Sequence, residues 1–154
     1  MPAGPDEVYA TLTDPAFQEA KCAATEAESH EVEVTPTAVG HRVRTSRVLP
    51  STDLPDVARS FVGDRLTVVE TYDWGAPGAD GSREAVLDLH VKGAPLTLKG
   101  TLRLVPEGGS TVQTLDAELK ANVPFVGGKI EQAAARPIES AVETEVRLLH
   151  ERLG

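Results

Sequence analysis

Three charged residues stand where charge is costly: Arg47, Glu70 and Glu145. Arg47 and Glu70 each alternate with apolar neighbours on one side of an extended segment, Arg47 beside Val43 and Leu49, Glu70 beside Leu66 and Val68. At about 100° per residue, Glu145 falls near the middle of the apolar side of a helical segment, between Ala141 and Leu148-Leu149. A carboxylate on a covered face is unfavourable unless it is paired or hydrated. One reading points Glu145 into a cavity, where it bonds a ligand or a buried cation. The other leaves it solvated where the helix overhangs its neighbours. If Arg47, Glu70 and Glu145 converge, they form a charge-assisted network that could orient a polar head group or perturb a pKa. If a strand register slips by one residue, every side chain changes face and the three are rim or surface charges.

Other reactive residue types carry weaker signals. Tyr72 and Trp74 share a strand face in a chain with only 4% aromatic residues; they pack a ligand ring or cap the edge of the core. His30, His41, His90 and His150 lie on different elements, and no pair has metal-ligand spacing. The single cysteine, Cys22, cannot form an internal disulfide or a thiolate zinc site. Its flank, Lys21-Cys22-Ala23-Ala24, reads as a short helix, so the thiol is a small buried residue or a reactive one. Gly127-Gly128-Lys129 lacks the upstream Gly and the following Ser/Thr of a phosphate loop. It reads instead as a turn that brings backbone close to a sheet. There is no GxSxG, no Cys/His pair and no convincing carboxylate pair for hydrolysis. No catalytic residue, metal or cofactor is therefore expected.

The whole chain sets the bounds. Its 154 residues make one domain, and 40% hydrophobic residues suffice for a core. A net charge of −9 disfavours nucleic acid and anionic membrane surfaces. No apolar run is long enough for a transmembrane helix, and no basic region followed by an apolar run marks a signal peptide. A cytoplasmic location without integral membrane association is the expectation.

The elements that must position these residues follow from periodicity. Pro5-Asp6-Glu7 opens a short helix and Asp14-Pro15 breaks it. A second short helix runs from Pro15 to about Thr25. Val32 and Val34 alternate with acids in a strand, and Thr37 to Gly40 turns the chain. Val39, His41, Val43, Thr45, Arg47 and Leu49 line one face of the next strand, which Pro50 to Asp53 stops. A helical turn spans Leu54 to Phe61. Four further strands follow, with faces Leu66 to Trp74, Ala85 to Val91, Leu96 to Leu104 and Leu115 to Ala121. Their turns are a loop from Gly75 to Ser82, then Gly93-Ala94-Pro95, then Pro106 to Ser110. One wet face on successive hairpins means an antiparallel sheet. Gly127 to Leu153 is a long amphipathic helix that Pro137 should kink or interrupt. It is the only element long enough to cover the sheet.

This α+β order resembles the helix-grip fold of the START-related superfamily, also called SRPBCC or polyketide-cyclase-like. It is most similar there to the domain of unknown function 2505 (DUF2505) branch. The residues carrying the resemblance are Glu7-Val8-Tyr9-Ala10-Thr11-Leu12-Thr13-Asp14-Pro15-Ala16-Phe17, Leu49-Pro50, Phe61-Val62-Gly63-Asp64 and Val123-Pro124-Phe125-Val126-Gly127-Gly128-Lys129-Ile130-Glu131. The resemblance implies a curved antiparallel sheet gripping the C-terminal helix, with a cavity for an apolar ligand between them. Ile138, Ala141, Val142 and Glu145 would face Leu87, Leu98, Leu102, Leu115 and Leu119 there. Ala134, Ala141 and Gly100 would leave the room. Related domains begin with a strand before the first helix, but only Met1 to Gly4 precede Pro5 here. Either the chain starts late, which is the favoured reading, or another chain or segment fills the gap.

The leading expectation is a binding protein for a hydrophobic or amphiphilic molecule, lipid or polyketide-like. Its site would draw on Arg47, Glu70, Tyr72, Trp74, Leu87, Leu98, Leu102, Ile138, Ala141, Val142 and Glu145. The expected partner is that small molecule or lipid, with a homodimer as one open assembly. Two alternatives stay open. One is a cyclase/aromatase-like enzyme using Glu145 or Glu70 as acid/base. The other is a protein-interaction or co-chaperone-like module with a filled core.

Overall fold

A computed structural model describes residues 2–25, 27–52, 54 and 56–154, without the side chains of Val57 and Ala58. Two short helices come first. In α1 (Pro5–Leu12), Pro5 opens the helix and Asp6 and Glu7 sit in the first turn, where the dipole favours anions. In α2 (Pro15–Ala24), the Asp14 carboxylate caps the start by accepting from the Ala16 N–H at 3.0 Å.

A meander follows: β1 (Ser29–Pro36), β2 (His41–Pro50), β3 (Arg65–Trp74), β4 (Arg83–Val91), β5 (Leu96–Glu107) and β6 (Ser110–Ala121). Each strand pairs antiparallel with the next, so sheet order equals chain order. Helix α3 (Asp56–Val62) lies between β2 and β3. The sequence places this turn from Leu54; Asp53 and Pro55, which belong to that stretch and to the stop before it, lie outside the described residues. Helix α4 (Gly127–Leu153) closes the chain. It lies against β6 and touches α1, α2 and α3, giving the α+β helix-grip arrangement.

The structure corrects several local expectations. Helix α4 is continuous across Pro137. Only one ladder bond is lost there, and the turns on either side hold the register. Pro106 stays in the β5–β6 ladder opposite Thr111, and the turn is Gly108-Gly109, with φ of 55° and 84°. A two-residue hairpin turn of this hand needs positive φ at both positions, which two glycines supply. Val39 lies outside β2 and is exposed. Gly100 makes no room for a ligand: a Cβ there would sit 2.0 Å from the Asp116 carbonyl oxygen and 2.5 Å from Ala117 Cα. Its bare Cα lets the β6 backbone close over β5.

The interior divides in two. At one end α1, α2 and the C-terminal turns of α4 pack tightly on the sheet, with Val8, Phe17, Cys22, Leu104 and Leu149 fully buried. At the other end the sheet and α4 stand apart.

Candidate functional site

That gap is a cavity of about 550 Å³. Leu87, Leu98, Leu102 and Leu115 form its sheet wall, and Ile138, Ala141 and Val142 its α4 wall. Ala134 also lines it. Phe61 and Val62 of α3 and the Ala94-Pro95 turn add further apolar surface. The Pro124-Phe125-Val126 link into α4 stands apart from this wall; Phe125 has φ 68° and a fully exposed ring.

One patch of the wall is charged. Antiparallel register puts Thr45 opposite Glu70 and Arg47 opposite Val68, so Arg47 and Glu70 are diagonal neighbours on the inner face. Glu145 reaches the same region from α4, one turn after Ala141 and one before Leu149. The joint between them is Lys21 from the last turn of α2. Its Nζ lies 3.0 Å from Glu70 Oε1 and 2.9 Å from Glu145 Oε2, donating to both. Arg47 Nη2 stands 3.9 Å from Glu70 Oε2. Gln113 of β6 donates through Nε2 to Glu145 Oε1 at 3.3 Å. One ammonium thus ties α2, the sheet and α4 together at the end of an apolar chamber.

Burial and charge pull against each other at Lys21 and at Glu70. Burial alone would depress the Lys21 pKa, but the Glu70 and Glu145 carboxylates outweigh it and hold the ammonium well above its usual range. Burial alone would raise Glu70, but Lys21 and Arg47 overcome it and the pKa ends below the ordinary 4.5. The Tyr72 phenol is pushed up by burial and by the Glu70 and Glu145 charges, so it stays a hydrogen-bond donor. The Lys21 ammonium sits 5.7 Å from the centre of the Tyr72 ring. Buried Cys22, next to Lys21, has its thiol pushed up by burial, which leaves it inert.

Residues 1–153 match the model of a family described as "Protein of unknown function (DUF2505)". The chain belongs to this family. Uncharacterized proteins of Mycobacterium tuberculosis H37Rv and Mycobacterium bovis are each 30% identical over 107 residues, covering 68% of this chain. The chain spans 61% of the length of those relatives. The crystal structure of TTHA0849 from Thermus thermophilus superposes over 99% of this chain and 91% of that one, with TM-score 0.61 and 21% identity. That likeness shows a shared fold. No helix among the described residues of the DUF2505 chain is long and apolar enough to cross a membrane.

Two of the residues expected at the site sit elsewhere. Trp74 is buried beyond the cavity, edge-on to the Tyr9 ring at 5.2 Å, and helps seat α1 on the sheet. Leu119 packs against the core outside the cavity wall. Alternation assigns a residue to a face but not to a depth along the strand. Conversely, Lys21 and Gln113 escape a reading that seeks charge on apolar faces. Lys21 lies four residues after Phe17, on the buried stripe of α2. Gln113 lies two residues before Leu115, on the face already assigned to the interior. Continuing each periodicity by one step reaches both.

The lowered Glu70 pKa sets a pH dependence. Its stabilisation is fully present above the ordinary value of 4.5 and is lost as pH falls through the lower folded value. Lys21, raised above 10.5, contributes fully below that pH and loses its contribution only as pH rises through the higher folded value. Thermal melts of wild type and Glu70→Gln should therefore differ most near neutrality. The gap should narrow as pH drops below 4.5; a constant gap would show that Glu70 titrates alike in both states.

Proposed function

We propose that this DUF2505 protein is a small binding protein for a hydrophobic or amphiphilic molecule, lipid or polyketide-like, held between α4 and the sheet. The observation that carries the reading is the cavity itself. Ligand sites run from roughly 300 to 1,000 Å³ and pair apolar walls with a few placed polar groups; about 550 Å³ with one charged patch fits that description. Arg47, Glu70, Tyr72, Leu87, Leu98, Leu102, Ile138, Ala141, Val142 and Glu145 are the proposed contacts, with Lys21 and Gln113 added. The apolar walls would hold the body of the ligand and the patch would hold its head.

Filling the chamber tests this. Ala141→Trp should retain a wild-type circular dichroism spectrum and weaken Nile red binding by at least about tenfold, because the indole occupies the volume the dye needs. Undiminished dye binding would place the hydrophobic site elsewhere. The cyclase-like alternative has less support. Glu70 and Glu145 are both committed to Lys21, and a carboxyl held below its usual range is a poor general acid near neutrality. The filled-core alternative requires a packed interior where this fold has an open chamber.

A further inference from the structure

The charges around the cavity say more about the ligand than the cavity's size does. Among the described residues, the charged side chains lining it are Lys21, Arg47, Glu70 and Glu145. That is two formal cations and two formal anions, and the sum is zero. None is more than 8% exposed. The remaining polar side chains of the wall, Thr25, Tyr72, Gln113, Ser140 and Thr144, are neutral. We infer that the cavity selects electrically neutral amphiphiles, with an apolar body and a hydroxyl or carbonyl head, over fatty carboxylates and alkyl amines. This rests on the ligand-binding reading above and names the ligand's chemistry.

The physical reason is charge balance among buried side chains, which water screens weakly. Lys21 is already shared by two carboxylates, and Arg47 stands behind Glu70. A fatty carboxylate would bring a third anion to two cations. An alkyl ammonium would bring a third cation to two anions. Either leaves one unit charge uncompensated and desolvated, which is strongly unfavourable. A hydroxyl or carbonyl adds no charge. It can accept from the Tyr72 phenol, which burial keeps protonated, or from the third N–H of Lys21. A hydroxyl can also donate to Gln113 Oε1, a buried acceptor without a hydrogen-bond partner among the described residues.

A matched series of twelve-carbon ligands reads this out directly. Dodecanol, methyl decyl ketone, dodecanoate and dodecylammonium compete with the neutral dye Nile red for the wild-type protein at neutral pH. The alcohol and ketone should displace it at concentrations at least about tenfold below those of both ions. Glu70→Gln leaves the cavity one positive charge in excess and should shift the ranking at least about tenfold toward dodecanoate. Arg47→Met leaves one negative charge in excess and should shift it toward dodecylammonium. Arg47 makes the loosest contact of the four, so this variant retains the Lys21 bridge even if Glu70→Gln does not fold. Equal displacement by dodecanoate or dodecylammonium and dodecanol in wild type overturns the selectivity, as does an unchanged ranking in the folded variants. Nile red binding that Ala141→Trp leaves intact overturns the cavity reading beneath it instead.

Discussion

Lys21→Met is expected to be the most damaging single change in the charge network. It removes the one ammonium that two buried carboxylates share, at 3.0 and 2.9 Å, and leaves Glu70 and Glu145 facing a chamber without it. Breaking a buried pair by removing one partner costs about 3–5 kcal/mol, mostly the penalty of the abandoned charge. For a chain of this length that lowers Tm by roughly 10 °C or more. Urea denaturation at neutral pH measures it. The cost should shrink as pH falls, because an unpaired buried carboxyl escapes by binding a proton. It should also be largely recovered in the quadruple variant Lys21→Met, Arg47→Met, Glu70→Gln, Glu145→Gln, which removes every formal charge of the patch and leaves no buried ion without a counter-ion. A single variant within about 1 kcal/mol of wild type would mean that the network is hydrated and flexible, and the charge balance used above would lose its footing.

Gly100→Ala should be equally severe for an unrelated reason. The added Cβ would lie 2.0 Å from the Asp116 carbonyl oxygen and 2.5 Å from Ala117 Cα. These obstacles are backbone, so no rotamer change relieves them. Overpacking ordinarily costs about 1–3 kcal/mol; a clash that must force paired strands apart belongs at or above the top of that range. Accumulation as insoluble protein, or a urea midpoint lowered by the equivalent of at least about 3 kcal/mol, is the expected result. Gly128→Ala is the control. Nothing lies within 4 Å of a Cβ there, at the start of α4. Removing a helical glycine should be neutral or stabilising by up to about 1 kcal/mol. If Gly100→Ala matched this control, the close passage of β6 over β5 would not be a constraint on the sheet.

The two sites show how far the sequence reads. The placement of Glu70 and Arg47 on inner faces was legible as one of two readings, from alternation with Val68, Tyr72, Val43 and Leu49; the observed β2–β3 register decides for it over a one-residue slip. Glu145 was legible as a charge on the covered side of α4, although solvation stayed open as its alternative. The same logic overreached at Trp74 and Leu119, whose faces were right and whose positions along the strands fall outside the cavity. At Gly100 it mistook a packing necessity for spare room, since a missing side chain looks the same in either case.

By itself the sequence determined the α+β class, the order of helices and strands and the family. It also assigned most apolar residues to inner faces, because hydrophobic periodicity and turn chemistry are local. Only the tertiary structure decided that Lys21 joins Glu70 and Glu145 across 49 and 124 residues of chain. It alone left a chamber of about 550 Å³ beside them. Both depend on how far α4 stands from the sheet and at what height α2 crosses it. Those distances arise from the packing of every side chain between the elements, and no periodicity encodes them.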